Sequence, residues 1–297
     1  MKVRVSEVFR SFQGEGIFTG ALSVWVRFFG CNLNCNGFMQ ENPCDPSSYQ
    51  LPYQTIDLSS IKKMEDLPVF EYGCDSGYSW SDRYKHLAQD YTEETLAEKI
   101  KSLLPTGTWC HPNTGNYFDL AFTGGEPMMQ QKQMIAVMEK LGFLSQNDRP
   151  VRVQIETNGT KALLPAFAKF VGDLNDREIE VAFNISPKLW NVAGEKDEDA
   201  WKPEVIKSYY DLASSGNTNL KFVVNNTDDA WAELNRKVKE LRDAGYDIPV
   251  FIMPVGATKE QQEDSAVVSQ IANRAIAEGY HVSGRVHATI FGNGIGT

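Results

Sequence analysis

The sequence has no long apolar run, no excess of positive charge and few cysteines. No stretch of about 18 or more apolar residues occurs, so we expect no transmembrane helix and no membrane partner. Residues 1–7 lack the apolar core of a signal peptide, which favours a cytoplasmic protein. Lys and Arg number 29 against 39 Asp and Glu. The formal net charge of −10 argues against a nucleic-acid partner, because such binding usually needs a basic face.

Only five cysteines occur in the 297 residues. Disulfides are rare in the cytoplasm, so we expect a metal or redox role for some of these thiols and burial for the rest. Cys31 and Cys35 follow the apolar residues 22–29, in a loop that leaves a buried strand. Two thiolates at this spacing can hold two corners of one iron–sulfur cluster. A third thiolate, such as that of Cys74, would leave one iron open to a small molecule.

Apolar, β-rich runs alternate along the chain with segments of helical periodicity. This rhythm predicts an α/β fold of βα units, arranged as a parallel sheet, a barrel or part of one. No repeat, low-complexity tract or linker divides the chain, so we expect a single domain over residues 1–297. The predicted strands are residues 22–29, 117–122, 151–155, 180–185, 220–224, 249–253 and 285–291. The predicted helices are residues 92–104, 131–141, 161–171, 203–213, 228–244 and 259–277.

Residues 36–73 interrupt this alternation. They contain four of the chain's 13 prolines and show little periodicity, and we expect residues 36–60 to form an irregular loop. A loop of this length inside a compact domain is usually functional or disordered.

Polar clusters follow four of the predicted strands. Barrels of this kind place their sites at the carboxyl ends of the strands. Glycines let backbone amides approach a ligand closely, and a neighbouring carboxylate can accept from an ammonium or hydroxyl group. Turn chemistry alone does not account for four such clusters, so we expect a site there. The clusters are the cysteine loop, Thr-Gly-Gly-Glu-Pro at 123–127, Glu-Thr-Asn-Gly-Thr at 156–160 and Ser-Pro-Lys at 186–188.

The cysteines and the Gly-Gly-Glu-Pro at 124–127 together resemble the radical S-adenosylmethionine (radical SAM) superfamily. Three longer motifs are more specific: Ser-Phe-Gln-Gly-Glu-Gly at 11–16, Trp-Val-Arg-Phe-Phe-Gly-Cys-Asn at 25–32 and Cys-Asp-Ser-Gly-Tyr-Ser-Trp at 74–80. With them the chain resembles the 7-carboxy-7-deazaguanine synthases. The resemblance covers residues 11 to about 190, with a weaker echo at 253–258 and 285–287.

One position departs from the superfamily pattern. The usual cluster motif is Cys-x₃-Cys-x₂-Cys, but Phe38 stands where the third cysteine is expected. The family's Cys-Asp-Thr sequence reappears as Cys-Asp-Ser at 74–76, so we interpret residues 37 to about 72 as an insertion in the cluster-binding loop. Cys74 is then the third ligand, and Cys44, whose neighbours carry no family echo, is the alternative. A long insertion is tolerable because the entropy cost of closing a loop rises slowly with its length.

The resemblance implies a partial (β/α) barrel of the radical SAM type and three cofactors. The thiolates of Cys31, Cys35 and Cys74 would hold a 4Fe–4S cluster whose open iron binds S-adenosyl-L-methionine, and Ser76 would coordinate Mg²⁺. No catalytic residue beyond the cofactors is implied. The implied cofactor-binding residues are Gly124, Gly125, Glu126, Thr157, Asn158, Ser186 and Lys188. The implied substrate-binding residues are Gln13, Glu15, Gly16, Arg27 and Thr123.

The implied activity is that of a carbon–nitrogen lyase. A hydrogen is taken from 6-carboxy-5,6,7,8-tetrahydropterin by a 5′-deoxyadenosyl radical, and the ring contracts to 7-carboxy-7-deazaguanine with loss of ammonia. The product belongs to 7-deazapurine biosynthesis of the queuosine type. Arg27 offers a planar fork to the substrate carboxylate, and Glu15 could accept from its N–H groups. The resemblance also implies a flavodoxin-like reductant and a homodimer.

Several of these residues have a plainer alternative. Glu126 could complement the dipole of a helix N-terminus, Arg27 could pair with a surface carboxylate, and Glu15 could decorate a turn set by its neighbouring glycines. Cys110 is expected to be a structural thiol and His287 a histidine near the core.

Two rival functions stay open on the sequence alone. A structural zinc protein could use Cys31, Cys35, Cys44 and Cys74 as a closed tetrahedral site, but this leaves the strand-end motifs unexplained. A glycyl-radical-activating enzyme would share the cluster and the Gly-Gly-Glu-Pro loop, but it would not need the Gln-Gly-Glu-Gly or Cys-Asp-Ser motifs.

Overall fold

A computed structural model describes residues 1–214 and 216–296. The strands of this described part are β1 (Val3–Phe12), β2 (Leu22–Phe28), β3 (Gln89–Tyr91), β4 (Asp119–Gly124), β5 (Arg152–Thr157), β6 (Glu180–Ile185), β7 (Thr218–Val224), β8 (Val250–Pro254) and β9 (His281–Val282).

The helices of the same residues are α1 (Glu93–Leu103), α2 (Gln131–Lys140), α3 (Pro165–Asn175), α4 (Trp190–Ala193), α5 (Asp197–Ala200), α6 (Pro203–Leu212), α7 (Asp228–Asp243), α8 (Lys259–Glu263), α9 (Ser265–Ala277) and α10 (Val286–Phe291). Single 3₁₀ turns lie at Gly16–Phe18, Pro46–Ser48, Pro52–Gln54, Met64–Asp66, Gly77–Ser79 and Pro127–Gln130, and a longer 3₁₀ helix lies at Asp82–Leu87.

All the described strands form one sheet in the order β3-β1-β2-β4-β5-β6-β7-β8-β9. Neighbours from β2 to β9 pair in parallel, whereas β1 pairs antiparallel with both β2 and β3. Helical crossovers join most of the parallel strands, as parallel pairing requires. The sheet ends at β3 and β9, and these described edges do not close into a barrel. The predicted α/β class is confirmed.

The central strands are buried on both faces of the sheet, which suits their mainly apolar side chains. All of β4 is buried, as is β6 except for its first residue, which is the pattern of a parallel sheet covered on two sides. The helices cover the sheet through one apolar face each. In α1, for example, Thr92 caps the N-terminus by accepting from the Thr95 amide, and Leu96 and Ile100 are buried.

Residues 37 to about 72, the predicted insertion, contribute to a small separate core. Its apolar side chains pack together beside the cluster loop instead of joining the main core between the sheet and the helices. Two residues of the Cys-Asp-Ser-Gly-Tyr-Ser-Trp motif pack with this segment: Tyr78 belongs to the second cluster, and Trp80 lies against it. The buried members of the second cluster are Tyr53, Met64, Leu67, Phe70, Tyr78, Tyr84 and Leu87.

Three predicted elements need correction. The predicted strand at 285–291 is instead helix α10 (Val286–Phe291), and the edge position of the sheet is occupied by β9. The predicted helix at 161–171 begins later, at Pro165, because a residue before proline is kept extended. The predicted helix at 259–277 is two helices, since Asp264 breaks the first and caps the second through the Ala266 amide.

Three strands were not predicted, β1, β3 and β9. Within the described residues, no helix combines the length and the apolarity needed to cross a bilayer.

Candidate functional site

A cavity of about 270 Å³ opens at the carboxyl ends of the parallel strands. Its wall takes residues from the ends of β4 to β8, from the loop after β2, from the insertion and from the chain near residues 293–296. This is the edge of the sheet at which the sequence predicts a site.

Cys31, Cys35 and Cys74 all lie on the wall of this cavity. They also pack in one small cluster around Leu33 and Ala193. Burial raises the pKa of the Cys31 thiol to about 12 and raises the pKa values of Cys35 and Cys74, so without a bound metal the thiols are protonated.

The other two cysteines lie elsewhere. The Sγ atom of Cys44 lies 3.5 Å from Asn191 Oδ1 and 3.8 Å from the Trp190 carbonyl oxygen, away from the cavity wall. Cys110 lies in a short bridge with Tyr117, also away from the cavity. The structure therefore brings Cys74, and not Cys44, together with the first two cysteines.

Backbone contacts shape the loop that carries Cys35. One carboxylate oxygen of Glu195 accepts from the amide of Asn34 at 2.8 Å and from the amide of Cys35 at 2.5 Å. Cys35 has a φ of 51°, a left-handed conformation that non-glycine residues rarely adopt. The two hydrogen bonds to Glu195 hold the loop in this conformation.

The donor set fits an iron–sulfur cluster better than a single ion. No group of three or more His, Cys, Asp or Glu in residues 1–214 and 216–296 is arranged to hold one metal ion. A 4Fe–4S cluster binds each thiolate through a different iron, so its ligands stand further apart than those around one ion. Three thiols around one cavity suit that chemistry. The separate position of Cys44 also argues against a four-thiolate zinc site.

The Gly-Gly-Glu-Pro loop packs closely against the loop after β2. A Cβ atom on Gly125 would come within 2.4 Å of the Gly30 carbonyl oxygen, and one on Gly124 within 2.4 Å of the Phe28 carbonyl oxygen. Both glycines line the cavity. Only residues without a side chain allow this approach, which brings the loop's backbone beside Cys31.

Glu126 does not reach the cavity wall. It is fully buried, and its carboxylate accepts from the amides of Met128 at 2.9 Å and Asn158 at 2.7 Å and from the hydroxyl of Thr157 at 2.7 Å. Burial raises its pKa, and these donors oppose that rise. Glu126 thus ties two strand-end loops together and caps a 3₁₀ helix, close to the plainer alternative foreseen for it.

The remaining residues predicted to bind cofactor do line the cavity. They are Thr157, Asn158, Ser186 and Lys188. The ammonium of Lys188 donates to the Ser186 hydroxyl at 2.9 Å and lies 5.8 Å from the centre of the Phe38 ring. Phe38, which replaces the expected cysteine, therefore packs at the edge of the same site.

A buried network of charges crosses the floor of the cavity. The ammonium of Lys221 lies 2.8 Å from Glu15 and 2.5 Å from Glu156, and Arg285 bridges Glu15 at 3.2 Å to Asp75 at 2.7 Å. Burial alone would raise the pKa of Glu15, but these cations hold it well below its usual range. Burial would likewise lower the pKa of Lys221, and the two carboxylates raise it instead.

Two neighbours complete this network. Gln13 donates to Gln154 at 2.9 Å and to Glu156 at 2.8 Å, so its side chain is fixed beside the cavity. Burial lowers the pKa of His287 to about 4, against the opposing effect of Glu15, so the imidazole is neutral at pH 7. His287 lies on the cavity wall, a position that the prediction of a histidine near the core did not specify.

The other predicted substrate and magnesium residues divide into two groups. Arg27, Thr123 and Ser76 line the cavity, and the Ser76 hydroxyl lies 3.5 Å from Cys74 Sγ. Gly16 does not line it; its amide donates to the Ser283 hydroxyl at 2.9 Å.

Comparisons with known proteins cover nearly the whole chain. A protein named 7-carboxy-7-deazaguanine synthase from Hyperthermus butylicus is 28% identical over 97% of this chain and 92% of its own length. A protein of the same name from Pyrobaculum aerophilum is 27% identical over 99% of this chain and 97% of its own length. The chain is a relative of the 7-carboxy-7-deazaguanine synthases. The resemblance predicted from the sequence motifs is confirmed.

The fold of this relative of the 7-carboxy-7-deazaguanine synthases also has a solved counterpart. The crystal structure of QueE from Escherichia coli superimposes with a TM-score of 0.54 and 18% identity, covering 97% of this chain and 95% of that one. The predicted partial-barrel fold is confirmed, with the sheet left open. No protein-family profile matches the chain.

Three residues that line the cavity of this synthase relative were not predicted from its sequence: Asp75, Lys221 and Arg285. One signal was available for Lys221, which is the one charged residue of β7 and stands between Leu220 and Phe222, where an unpaired lysine would not be buried. Arg285 was visible only as a weak motif echo, because its partners Glu15 and Asp75 lie far away in sequence.

Proposed function

We propose that the protein is a 7-carboxy-7-deazaguanine synthase. It converts 6-carboxy-5,6,7,8-tetrahydropterin to 7-carboxy-7-deazaguanine by a radical SAM ring contraction that releases ammonia, a step of 7-deazapurine biosynthesis of the queuosine type. One observation carries the proposal. The thiols of Cys31, Cys35 and Cys74 line the same cavity as the Gly-Gly-Glu-Pro loop and the buried charge network of Glu15. The coexistence of these groups argues against a glycyl-radical activase, which would not need the motif that contains Glu15.

The thiol side of the cavity is suited to the cofactors. Cys31, Cys35 and Cys74 would hold a 4Fe–4S cluster, which together with S-adenosyl-L-methionine supplies a 5′-deoxyadenosyl radical when bound. The backbone of Gly124 and Gly125 lies beside Cys31 and offers polar groups to the methionine part of the cofactor. Thr157, Asn158, Ser186 and Lys188 offer side chains on the same wall.

Glu126 acts in this proposal through the residues it holds. Because its two oxygens are occupied by Met128, Thr157 and Asn158, it keeps the Gly-Gly-Glu-Pro loop in register with the end of β5. We therefore assign it a positioning role in place of direct contact with the cofactor.

The charged and polar side chains that line the cavity are suited to the pterin. Arg27 presents a cation for the carboxylate, Gln13 and Glu15 present acceptors for ring N–H groups, and Thr123 adds a hydroxyl. Glu15 is fully ionised at pH 7 because Lys221 and Arg285 favour its charge. Gly16 contributes only its backbone conformation, with a φ of 67° in the turn that brings Glu15 to the cavity.

Ser76 is the proposed protein ligand of Mg²⁺. Its hydroxyl faces the cavity next to Cys74, and a hydroxyl is the kind of hard oxygen donor that Mg²⁺ accepts, with the remaining positions left for water and the substrate carboxylate. A cytoplasmic location, a flavodoxin-like reductant and a homodimer complete the proposal; the location follows from the need to keep the three thiols reduced.

The test is an anaerobic turnover experiment. The protein is reconstituted with iron and sulfide and mixed with dithionite, S-adenosyl-L-methionine, Mg²⁺ and 6-carboxytetrahydropterin, and products are identified by mass spectrometry. We expect 7-carboxy-7-deazaguanine. Formation of 5′-deoxyadenosine without the deazaguanine would refute the substrate, and neither product from a loaded cluster would refute the radical SAM assignment.

The third cluster ligand is tested in the same system. Cys74→Ala is expected to lose iron, sulfide and product, whereas the matched control Cys44→Ala keeps all three because its sulfur faces Asn191. The reverse result would make Cys44 the ligand.

A further inference from the structure

The buried carboxylate of Glu7 lies next to the cavity and has no place in the chemistry described above. One of its oxygens accepts from Arg27 Nε at 2.6 Å and from the Tyr78 hydroxyl at 2.6 Å. Its other oxygen is buried without a hydrogen-bond partner in the described part of the chain. A buried carboxylate with one unsatisfied oxygen destabilises a fold, so a role in the site would account for its presence.

An irregularity in β1 directs Glu7 to this position. Val3 and Val5 face the main core, and the next residue packed against that core is Val8, which breaks the alternation of a regular strand. The register shift lies between Val5 and Glu7, where Ser6 is the extra residue of a β-bulge. The bulge turns Glu7 to the cavity face of the sheet, directly opposite Arg27 on β2.

Arg27 is held by one nitrogen and open at the other two. Its Nε atom donates to Glu7, and within residues 1–214 and 216–296 no protein acceptor bonds its Nη1 or Nη2 atoms. Neither terminal nitrogen is among the buried atoms that lack a partner, and Arg27 lines the cavity. The free nitrogens of the guanidinium therefore face the cavity.

Tyr78 fixes both partners of this pair. Its hydroxyl donates to Glu7, and its ring centre lies 5.8 Å from the Arg27 guanidinium carbon. The ring is buried in the core of the insertion, where it meets Phe70 edge-on at 6.1 Å. The orientation of Arg27 is thus set by a side chain from each of two flanking elements.

We propose that Glu7 and Tyr78 are positioning residues that aim the two terminal nitrogens of Arg27 at the substrate carboxylate. This inference rests on the proposed function, because it takes the carboxylated pterin as the ligand. A bidentate arginine–carboxylate pair needs the guanidinium plane to be fixed, and the bond from Nε to Glu7 fixes it. Glu7 touches neither the substrate nor the cofactors in this proposal.

The test compares Glu7→Gln with the wild type on two ligands. The KM for 6-carboxytetrahydropterin is expected to rise about tenfold or more while kcat changes about threefold or less, as befits a lost charge-assisted contact in the bound state. The Kd for a tetrahydropterin without the carboxylate is expected to stay within about twofold of the wild-type value. Asp90→Asn is the matched control, since it breaks an exposed carboxylate–arginine pair with Arg4 at the same sheet edge and should leave KM unchanged.

A second variant separates orientation from folding. Tyr78→Phe keeps the ring in its core and removes one hydrogen bond to Glu7, so a smaller rise of KM is expected. In the double variant with Glu7→Gln the two effects should not add, because both act through Arg27.

An unchanged KM in a folded Glu7→Gln or Tyr78→Phe variant, or an equal loss on the decarboxylated pterin, overturns the inference while the proposed function stands. If the wild type makes no deazaguanine from the carboxylated pterin, the proposed function fails, and this inference fails with it.

Discussion

Replacing Lys221 by methionine is expected to destabilise the protein far more than replacing a surface lysine. The Lys221 side chain is 3% exposed and bridges two carboxylates, those of Glu15 and Glu156. Methionine has a similar length and removes only the charge and its hydrogen bonds. Glu15 keeps Arg285 as a cation, so the uncompensated charge falls mainly on Glu156, which retains only the neutral donors Gln13 and Asn184.

The expected loss is about 3–5 kcal/mol in the free energy of unfolding, the range found when one partner of a buried ion pair is removed. The raised pKa of Lys221 makes its contribution complete below the usual lysine pKa, and it is lost as pH rises through the raised value. The lowered pKa of Glu15 makes its contribution complete above the usual carboxyl pKa, and it is lost as pH falls through the lowered value. Both contributions are therefore complete at pH 7.

Urea unfolding of the cluster-free protein at pH 7, followed by circular dichroism, measures the change. The control is Lys239→Met, which breaks a 2.6 Å pair with Asp243 from a side chain that is 73% exposed, and about 1 kcal/mol or less is expected. Adding Glu156→Gln to Lys221→Met should restore part of the stability, because it removes the buried charge left without a cation. If Lys221→Met costs no more than Lys239→Met, or if Glu156→Gln gives no recovery, the charge network is not the stabilising feature described above.

Three further outcomes are expected. Glu195→Ala removes the acceptor of the Cys35 amide and should speed hydrogen exchange at that amide about tenfold or more; unchanged exchange would contradict the role given to Glu195. The pKa of His287, measured by NMR, should lie near 4, and wild-type stability should fall as pH drops from about 6.5 toward 4, a decline that is smaller in His287→Asn; a pKa near 6.5 would contradict its burial. Gly125→Ala should displace the Gly30 carbonyl and lower iron content on reconstitution, and an equal iron content to the wild type would show that the close approach is dispensable.

Helices and strands that are marked by a short, local sequence pattern could be predicted from the sequence. The strand at 180–185 was predicted with its observed bounds, because a short segment with Val181, Phe183 and Ile185 at alternate positions favours a strand. Residues 285–291 failed because apolar side chains at alternate positions suit either a strand or a short helix, and only the observed pairing of β9 with β8 shows that the edge was already occupied. Strand β1 was missed because its bulge interrupts the alternation that marks a strand.

The candidate site divides in the same way. The cysteines and glycines of the site lie in short sequence motifs, so the cluster loop and the glycine loop could be located from the sequence alone. The partners of Glu15 could not, since Lys221 and Arg285 lie more than two hundred residues along the chain. The burial of the Glu126 carboxylate away from the cavity could not be predicted from the sequence either, because it depends on hydrogen-bond donors at the end of β5.

The second cluster limits how far the predicted insertion can be shortened. Its ring cluster includes Tyr78, which belongs to the site, so one side chain serves both the inserted segment and the arginine pocket. A deletion that takes Phe70 would leave Tyr78 without the ring that braces it. A graft or trimmed variant should therefore keep Tyr53, whose ring stacks on Phe70, together with residues 64–73.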